Sequence, residues 1–384
     1  MSEHNPLAQE ITAQIQLGLY GTVGKLARQL RSIDRIAPRL KDGGLVRSLE
    51  LDRERRRVAV GIAVAHRKIS AFGGLLYATG ALAHEITATG PDISHTRQLS
   101  RLDVGDMTLL EADRRLKWKK YGLVYDLLEE LFETEPLPDL FLLDVPLVMG
   151  RAVYAQLLDD GETDLRLREE IQRLRERLDS FWDRHLERCF PFNPQGPKVV
   201  SVARGRFGSL LRLLEKNGAE ISPDPIDAEV EALIKTDWVN VLSVGIDRVL
   251  RGILIPDHRT AAFDREQDRL DKEAFPRALV EKGSIAFHYL TGLRGEPVQA
   301  ETLGAAQLWA DQGGTQLLDA LAGDLIALTW FDNRKSLPLP IWCAQQGVQV
   351  VQRRGVLEFY KQEALRSLRD ERVDNAWLAG WDGD

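Results

Sequence analysis

The carboxylate of Asp144 stands at the end of an apolar run, directly before a Val-Pro step. The run reads Asp139-Leu-Phe-Leu-Leu-Asp144-Val-Pro146-Leu. A buried strand that ends at an Asp places a rigid carboxylate on the rim of a sheet, and oxygen ligands of this kind hold Mg²⁺ or Mn²⁺. The alternative is that Asp144 caps a helix that begins after Pro146. Asp144 is therefore the first candidate metal ligand of the chain.

Several common catalytic motifs are absent from the sequence. It contains no G-x-x-x-x-G-K-[ST] phosphate loop, no G-x-S-x-G elbow, no H-E-x-x-H pair and no C-x-x-C. Its seven histidines are scattered without metal-ligand spacing, and its two cysteines, Cys189 and Cys343, lie far apart. This usage argues against a disulfide scaffold or a thiolate metal site and fits a reducing cytosol. What remains is the chemistry of carboxylates near strand ends.

Composition and charge indicate a large globular protein. A chain of 384 residues with 44% hydrophobic composition can bury a sizeable core in one or two domains. Its formal net charge of −7 does not attract nucleic acid, so such binding must come from local basic patches. The sequence begins without a basic stretch and apolar core, and no apolar run approaches the roughly 18 residues that span a bilayer. We therefore expect a cytoplasmic protein with no membrane contact.

One basic patch lies in a helix predicted over 108–133. Lys117, Lys119 and Lys120 belong to it, and Trp118 and Tyr121 are interleaved with them. Aromatic rings between basic side chains could stack on the bases of single-stranded DNA. The alternative is that the basic run is a solvated helix face.

A second basic pair follows a short strand predicted over 199–203. Arg204 and Arg206 stand where that strand ends, before a helix that continues to 214. Guanidinium groups at such a place could hold a DNA phosphate. Ion pairs with neighbouring acids are the alternative.

The elements that position these residues begin with a hairpin. Four apolar residues, Val58, Val60, Ile62 and Val64, alternate with small residues, which is the period of a strand. A second extended run covers 69–82, and the polar residues 66–68 between the two are predicted to form the turn. The 108–133 helix and the 139–144 strand follow, and helix followed by buried strand indicates an α/β layer.

Two helices carry long apolar stripes. One is predicted over 7–32 and the other over 165–186, and each has apolar residues at spacings of three and four. We expect both to make protein contacts, since each stripe is longer than a surface helix needs. The remaining elements are a helix over 226–251, extended segments at 252–255, 284–291 and 297–302, and closing helices at 314–329 and 340–352.

The sum is an α/β fold, a ribonuclease-H-like mixed sheet flanked by helices. Residues 1–48 are predicted to form an N-terminal helical arm. Residues 49–370 form the sheet domain, with a helical insertion at about 160–195, and 371–384 form a polar C-terminal tail.

The order of these segments resembles the NurA nucleases, which work with HerA-type hexameric DNA translocases. The central element of that family looks like Phe141-Leu-Leu-Asp144-Val-Pro-Leu147, its later Asp looks like Asp237 of Lys235-Thr-Asp-Trp, and its aromatic strand looks like 286–290. The resemblance covers roughly 55–355. It implies a metal-dependent DNA nuclease that uses Mn²⁺ or Mg²⁺, with Asp144 and Asp237 as catalytic and metal-binding residues. Glu111, on the predicted basic helix, is a further candidate ligand. For Asp237 and Glu111 the alternative is a solvated or ion-paired side chain.

Two positions depart from the family pattern. Gly61 of Val58-Ala-Val60-Gly61-Ile62 stands where the first catalytic Asp of the family would fall, and Gln345 stands where its His would fall. That Asp bridges two metal ions whose mutual repulsion requires several anionic ligands. We therefore expect weak or lost nuclease activity. If cleavage survives, Asp144→Ala should abolish it and Gly61→Asp should raise it.

The resemblance leads to one main hypothesis and two alternatives. The main one is a NurA-like, homodimeric DNA-processing subunit that acts with a HerA-type ATPase in DNA end processing or anti-phage defence. The second is a non-catalytic structural adaptor that docks on the ATPase and recruits another effector. The third is an unrelated α/β protein whose likeness to the family arises by chance.

Overall fold

Among the residues that the computed structural model describes, ten strands form a central mixed sheet. The structure describes residues 6–109, 111–149, 165–204, 222–230, 232–233, 245–265, 274–292, 295–329, 336–371 and 373. The strands are β1 (Val46–Ser48), β2 (Arg57–Ala71), β3 (Gly74–Thr89), β4 (Asp92–Met107), β5 (Leu140–Leu143), β6 (Lys198–Arg204), β7 (His258–Thr260), β8 (Phe263–Asp264), β9 (Ser284–Leu290) and β10 (Val298–Leu303).

The sheet runs in the order β1-β7-β9-β10-β6-β5-β2-β3-β4, and β8 pairs with β9. Strand β5 is parallel to both β2 and β6, while the other pairs are antiparallel. Helices flank the sheet, so the predicted mixed α/β sheet is confirmed. They are α1 (Pro6–Leu40), α2 (Ala112–Phe132), α3 (Leu165–Cys189), α4 (Ile246–Ile253), α5 (Arg277–Lys282), α6 (Ala306–Asp311), α7 (Gly314–Ala327), α8 (Leu339–Val348) and α9 (Arg354–Asp370).

The predicted hairpin is confirmed, but its turn lies elsewhere. Strands β2 and β3 pair without interruption from Arg57 and Ala88 to Ala71 and Gly74. The polar residues 66–68 that were predicted to turn remain inside β2. The chain reverses instead at 72–73, where both residues have positive φ, as two-residue hairpin turns require. Strand β2 continues through a polar stretch beyond its alternating apolar residues. The sequence-based prediction, which relied on that alternation, therefore ended the strand too early.

Strand β4 extends the hairpin at the edge of the sheet and was not predicted. It pairs with β3 over almost its whole length. Most of its side chains are exposed or half-buried, because it is an edge strand. The sequence signal of alternating apolar and polar residues is therefore weak along it.

The two faces of the sheet bury separate cores. On the α2 face, Val60, Ile62 and Phe141 pack against α2 and α3. On the α8 face, Ala59 and Leu142 pack against residues of α6, α7 and α8. Successive side chains of a strand point to opposite faces of the sheet. Alternate residues of β2 and β5 therefore enter different cores.

The apolar stripes of α3 and α1 have different surroundings. In α3 the stripe includes Ile171, Leu178 and Phe181, which are buried in the same core as α2. In α1, by contrast, Ile15 is 62% exposed and Leu19 is 54% exposed. The expectation that the α3 stripe makes contacts with another protein is therefore wrong, while the α1 stripe remains available.

The remaining elements agree with the sequence prediction in part. Residues 252–253 end α4 rather than forming an extended segment, because Leu254 N–H still donates to Leu250 O. The closing helices at 314–329 and 340–352 are confirmed as α7 and as α8 with a short 3-10 turn. Helix α9 was not predicted. The predicted helix that continues to 214 lies outside the described residues, as do 231 and 234–244 of the helix predicted over 226–251, whose end belongs to α4. No described helix is long and apolar enough to cross a membrane.

Candidate active site

Asp144 lies next to Gly61 at the centre of the sheet. Gly61 on β2 pairs with Leu142 on β5, and the backbone N–H of Asp144 donates to Ile62 O at 3.0 Å. Because Leu142 and Asp144 are two residues apart, Asp144 continues the strand on the face to which Gly61 belongs. The predicted proximity of Gly61 and Asp144 is therefore confirmed. The side chain of Asp144 is half-buried.

Helix α8 occupies the space above Gly61. A Cβ atom built on Gly61 would lie 2.2 Å from Ile341 N and 2.3 Å from the carbonyl carbon of Pro340. Both are backbone atoms, so they cannot turn away as the end of a flexible side chain could. Ile341 itself is fully buried. The first turn of α8 therefore fills the position in which a first-strand carboxylate would stand, and this argues against the expectation that Gly61→Asp restores a ligand.

The structure does not bring Glu111 to Asp144. Glu111 precedes α2 with φ 52° and forms an ion pair with Arg114 at 3.2 Å. The first turn of α2 packs beside Leu75, which pairs with Ser70 near the hairpin turn. At about 3.3 Å per residue, this end of β2 is roughly 20 Å from the strand position beside Asp144. Glu111 and Asp144 are thus too far apart to share an ion.

Other predicted site residues lie beyond what the structure describes. Asp237 and Arg206 are outside the described residues, and of Arg204 only the backbone is described, as the last residue of β6. The pairing of Asp144 with Asp237 therefore stays a prediction. Gln345 lies on α8, one turn after Ile341, and is half-buried.

The described residues near Asp144 do not form a carboxylate metal site. Among the His, Cys, Asp and Glu side chains that the structure describes, only His84, His95 and Cys343 come together as a group of three able to hold an ion. Asp144 is not in that group. A two-metal centre for Mn²⁺ or Mg²⁺ needs several anionic ligands, so the described part of the site does not fit one.

The basic run of α2 is largely matched by acids. Lys119 forms an ion pair with Asp103 at 2.9 Å and lies over the ring of Tyr77, 4.8 Å from its centroid. Burial alone would lower the pKa of Lys119, but the hydrogen bonds to Asp103 and Tyr77 raise it above its usual value. Lys117 is exposed, and Lys120 is half-buried. Lys119 is thus held in an ion pair, while Lys117 remains the most accessible of the three and fits the alternative of a solvated helix face.

The aromatic residues of the same helix are not available for stacking. Trp118 and Tyr121 are 4% and 7% exposed and belong to the core of the α2 face. The expectation that they stack on bases is wrong. Their spacing in α2 turns both rings toward the core, which is the usual reason for an aromatic residue between basic ones on an amphipathic helix.

Sequence reasoning missed His84, His95 and Cys343. His84 meets His95 only through the β3–β4 ladder and Cys343 only through the docking of α8. Burial, and then the charge of His95, lower the pKa of His84. The two histidines could have been found by predicting β3 and β4 as a hairpin of two long strands that each carry one His. They were missed because β4 was not predicted.

Comparison with solved structures identifies the fold. The NurA nuclease from Sulfolobus solfataricus matches with a TM-score of 0.54 at 11% identity, over 96% of this chain and 98% of that one. A second NurA structure matches at 0.42 and 12% identity over 97% and 99% of the two chains. A NurA structure bound to dAMP and manganese matches at 0.41 and 12% identity over 98% and 99%.

The sequence itself matches no protein-family profile and no curated protein. The likeness thus lies in the fold, which covers nearly the whole chain at low identity. The suspected resemblance to NurA is confirmed at this level: the chain has the fold of the NurA nuclease.

Proposed function

We propose that the chain is a NurA-fold DNA-processing subunit that has lost two-metal nuclease activity and acts with a HerA-type hexameric ATPase. The observation that carries the proposal is the close packing of the first turn of α8 against Gly61. The fold supports a role related to that of NurA. The closed site supports a role without cleavage, in DNA end processing or in defence against foreign DNA.

The loss of chemistry follows from charge and space. Two metal ions a few ångströms apart require a bridging carboxylate. Glycine offers no side chain, and the backbone of Pro340 and Ile341 leaves no room for one. Residual single-metal chemistry would depend on Asp144 and Asp237, and the described residues supply only the first of them.

A role in an assembly is supported by α1. Its apolar residues Ile11, Ile15, Leu19 and Val23 are each about half exposed or more. Apolar surface of this kind contributes about 25 cal/mol per Å² when it is removed from water. We assign this stripe to the protein contacts of the complex, as a homodimer or with the ATPase. DNA contacts are assigned to Lys117, Lys120, Arg204 and Arg206, with Lys119 held by its ion pair.

A cleavage assay tests the loss of activity. We expect the purified chain to leave linear DNA intact in Mn²⁺ or Mg²⁺, with and without a HerA-type ATPase from the same genome. The Asp144→Ala variant should give the same background, because Asp144 belongs to no cluster of three metal-binding side chains among the described residues. The NurA nuclease of Sulfolobus solfataricus serves as the positive control. Metal-dependent cleavage that disappears in Asp144→Ala would contradict the proposal.

A binding assay tests the partnership. We expect the chain to co-elute with the ATPase in size-exclusion chromatography. Ile15→Glu with Leu19→Glu should abolish that association or the self-association of the chain, because two charges would enter the apolar stripe. Ala13→Glu is the matched control, since it adds a charge on the opposite side of the exposed helix. Equal association in all variants would refute the assignment of α1.

A further inference from the structure

Three side chains with metal-binding chemistry converge on the α8 face of the sheet. They are His84 of β3, His95 of β4 and Cys343 of α8, and their ligand atoms all lie within 4.8 Å of one another. The Nε2 atom of His84 is 2.7 Å from Nδ1 of His95. The two rings meet edge to face, with an angle of 78° between their planes.

An irregularity in the sheet aims His95 at this place. His84 pairs with Gln98, and the register of β3 and β4 then shifts between Glu85 and Ile86, so that Ile86 pairs with His95. In a regular ladder His95 would pair with Thr87 and point to the α2 face. The bulge turns its side chain to the face of His84, and re-aiming a side chain is what bulges near functional sites do.

We propose that His84, His95 and Cys343 form a zinc site. Zn²⁺ is bound by thiolate at about 2.3 Å and by imidazole nitrogen at about 2.0–2.1 Å, in tetrahedral geometry. Tetrahedral donors at those lengths are separated by roughly 3.3–3.6 Å, which small side-chain rotations reach from the present arrangement. Soft sulfur and nitrogen donors select zinc over Mg²⁺ or Mn²⁺.

Zinc binding would move two protons at this site. His84 Nε2 and His95 Nδ1 now share one proton in their hydrogen bond. Zn²⁺ takes the place of that proton, which moves through water to Nε2 of the exposed His95 ring, so that both imidazoles stay neutral. The thiol of Cys343 releases its own proton to solvent, as ligation by thiolate requires. The fourth position falls to a water molecule, because His95 is exposed and Cys343 is only half-buried.

Gln98 is placed to orient the buried ligand. Its side-chain amide lies 3.0 Å from Nδ1 of His84. With the amide oxygen turned toward the ring, it accepts the Nδ1 proton and leaves the Nε2 lone pair for the metal. A histidine ligand commonly donates its second N–H in this way, and the partner fixes the tautomer. The oxygen and nitrogen of an amide are interchangeable by a flip of the group.

The site would fasten α8 to the hairpin beside Gly61. His84 pairs directly with Gly61 across β2 and β3, and Cys343 lies on the helix whose first turn covers Gly61. Zinc bound here would therefore link α8 to the sheet beside Gly61. The proposal stands on these three residues and does not depend on the role of the protein in DNA processing.

Metal binding is tested on the full chain with any affinity tag removed. After treatment with a chelator, the protein is dialysed against Zn²⁺, Mn²⁺ or Mg²⁺, and bound metal is measured by mass spectrometry. We expect one zinc per chain and a higher Tm with zinc. Co²⁺ in place of zinc should give the near-ultraviolet absorption of a thiolate–cobalt bond.

Matched variants locate the site. Cys343→Ser and His95→Ala should lose the zinc and the zinc-dependent rise in Tm, whereas Cys189→Ala and His66→Ala should keep both. Gln98→Leu should weaken zinc binding by about 10- to 100-fold, as loss of a hydrogen-bonded partner does. No bound zinc, or zinc and cobalt absorption that persist in Cys343→Ser, would overturn the proposal. Measuring Tm without metal separates a variant that fails to fold from one that fails to bind.

Discussion

Gly61→Asp is expected to give no nuclease activity and to lower the free energy of unfolding by about 3 kcal/mol. From the sequence alone, a carboxylate at this position would be expected to replace the missing first-strand metal ligand. In the structure it would have to displace the first turn of α8, since even a Cβ atom would lie 2.2 Å from Ile341 N. Overpacking and a buried charge then act together.

The size of the effect follows from what must move. Pro340 and Ile341 belong to a helix whose buried residues Ile341, Ala344 and Val348 contact the sheet. Shifting the backbone of this helix breaks those contacts along its whole length. A side chain at the surface could rotate away at little cost, but a packed helix cannot.

Denaturant unfolding and the DNA cleavage assay measure the two outcomes. Gly61→Ala should already lose about 2 kcal/mol, because the clash begins at Cβ. The matched control is Gly122→Ala in α2, where a Cβ would meet Leu174 at an ordinary 3.9 Å. That change should be neutral or stabilise by up to about 1 kcal/mol, since alanine favours helix. Wild-type stability of Gly61→Asp together with new Mn²⁺-dependent cleavage would mean that α8 does not close the site.

The local part of the site could be predicted from the sequence. The alternation around Gly61 indicated the strand, and the apolar run before Asp144 indicated its neighbour. Both signals are short-range, because strand periodicity and a terminal carboxylate are properties of a few consecutive residues. The resemblance of segment order then placed the two strands side by side.

The covering helix could not be predicted in the same way. Its contact with Gly61 joins residues far apart in sequence and depends on ångström-scale packing. A glycine in a strand signals a close approach of some backbone, but not which one. The zinc cluster is similar, since it depends on a bulge in β4 and on the docking of Cys343.

The apolar stripes show a further limit. The stripes of α1 and α3 follow the same spacing rules. Ile171 and Phe181 of α3 are buried in the core that includes α2, whereas Ile15 and Leu19 of α1 are exposed. Periodicity indicates that a helix has an apolar face but does not indicate whether its partner lies within the chain.

Arg259→Met is expected to lower the free energy of unfolding by about 3–5 kcal/mol at neutral pH. Arg259 is fully buried and donates to both carboxylate oxygens of Asp224, at 2.6 and 2.8 Å. Its Nε also donates to Asp319 at 2.7 Å. Methionine fills a similar volume without charge, so Asp224 would stay buried without its main partner.

The pH dependence of this loss has a definite sign. Burial alone would raise the pKa of Asp224, but the hydrogen bonds and charge of Arg259 bring it below its usual value. A lowered pKa in the folded state stabilises the fold above the unfolded value of about 3.9 and loses that contribution as the pH falls through the folded pKa. In Arg259→Met the pKa of Asp224 should rise, so the variant should lose most at neutral pH and least below about pH 4.

Urea unfolding of both proteins at pH 7 and pH 3.5 measures this difference. The matched control is Arg251→Met, which removes the same charge from an ion pair with Asp247 at 3.2 Å in which both side chains are more than 40% exposed. An exposed pair contributes about 0.5 kcal/mol or less. Equal losses for the two variants, or a loss that is the same at both pH values, would show that the buried carboxylate of Asp224 is not held by Arg259. The expected contrast arises because water screens one pair and the core leaves the other unscreened.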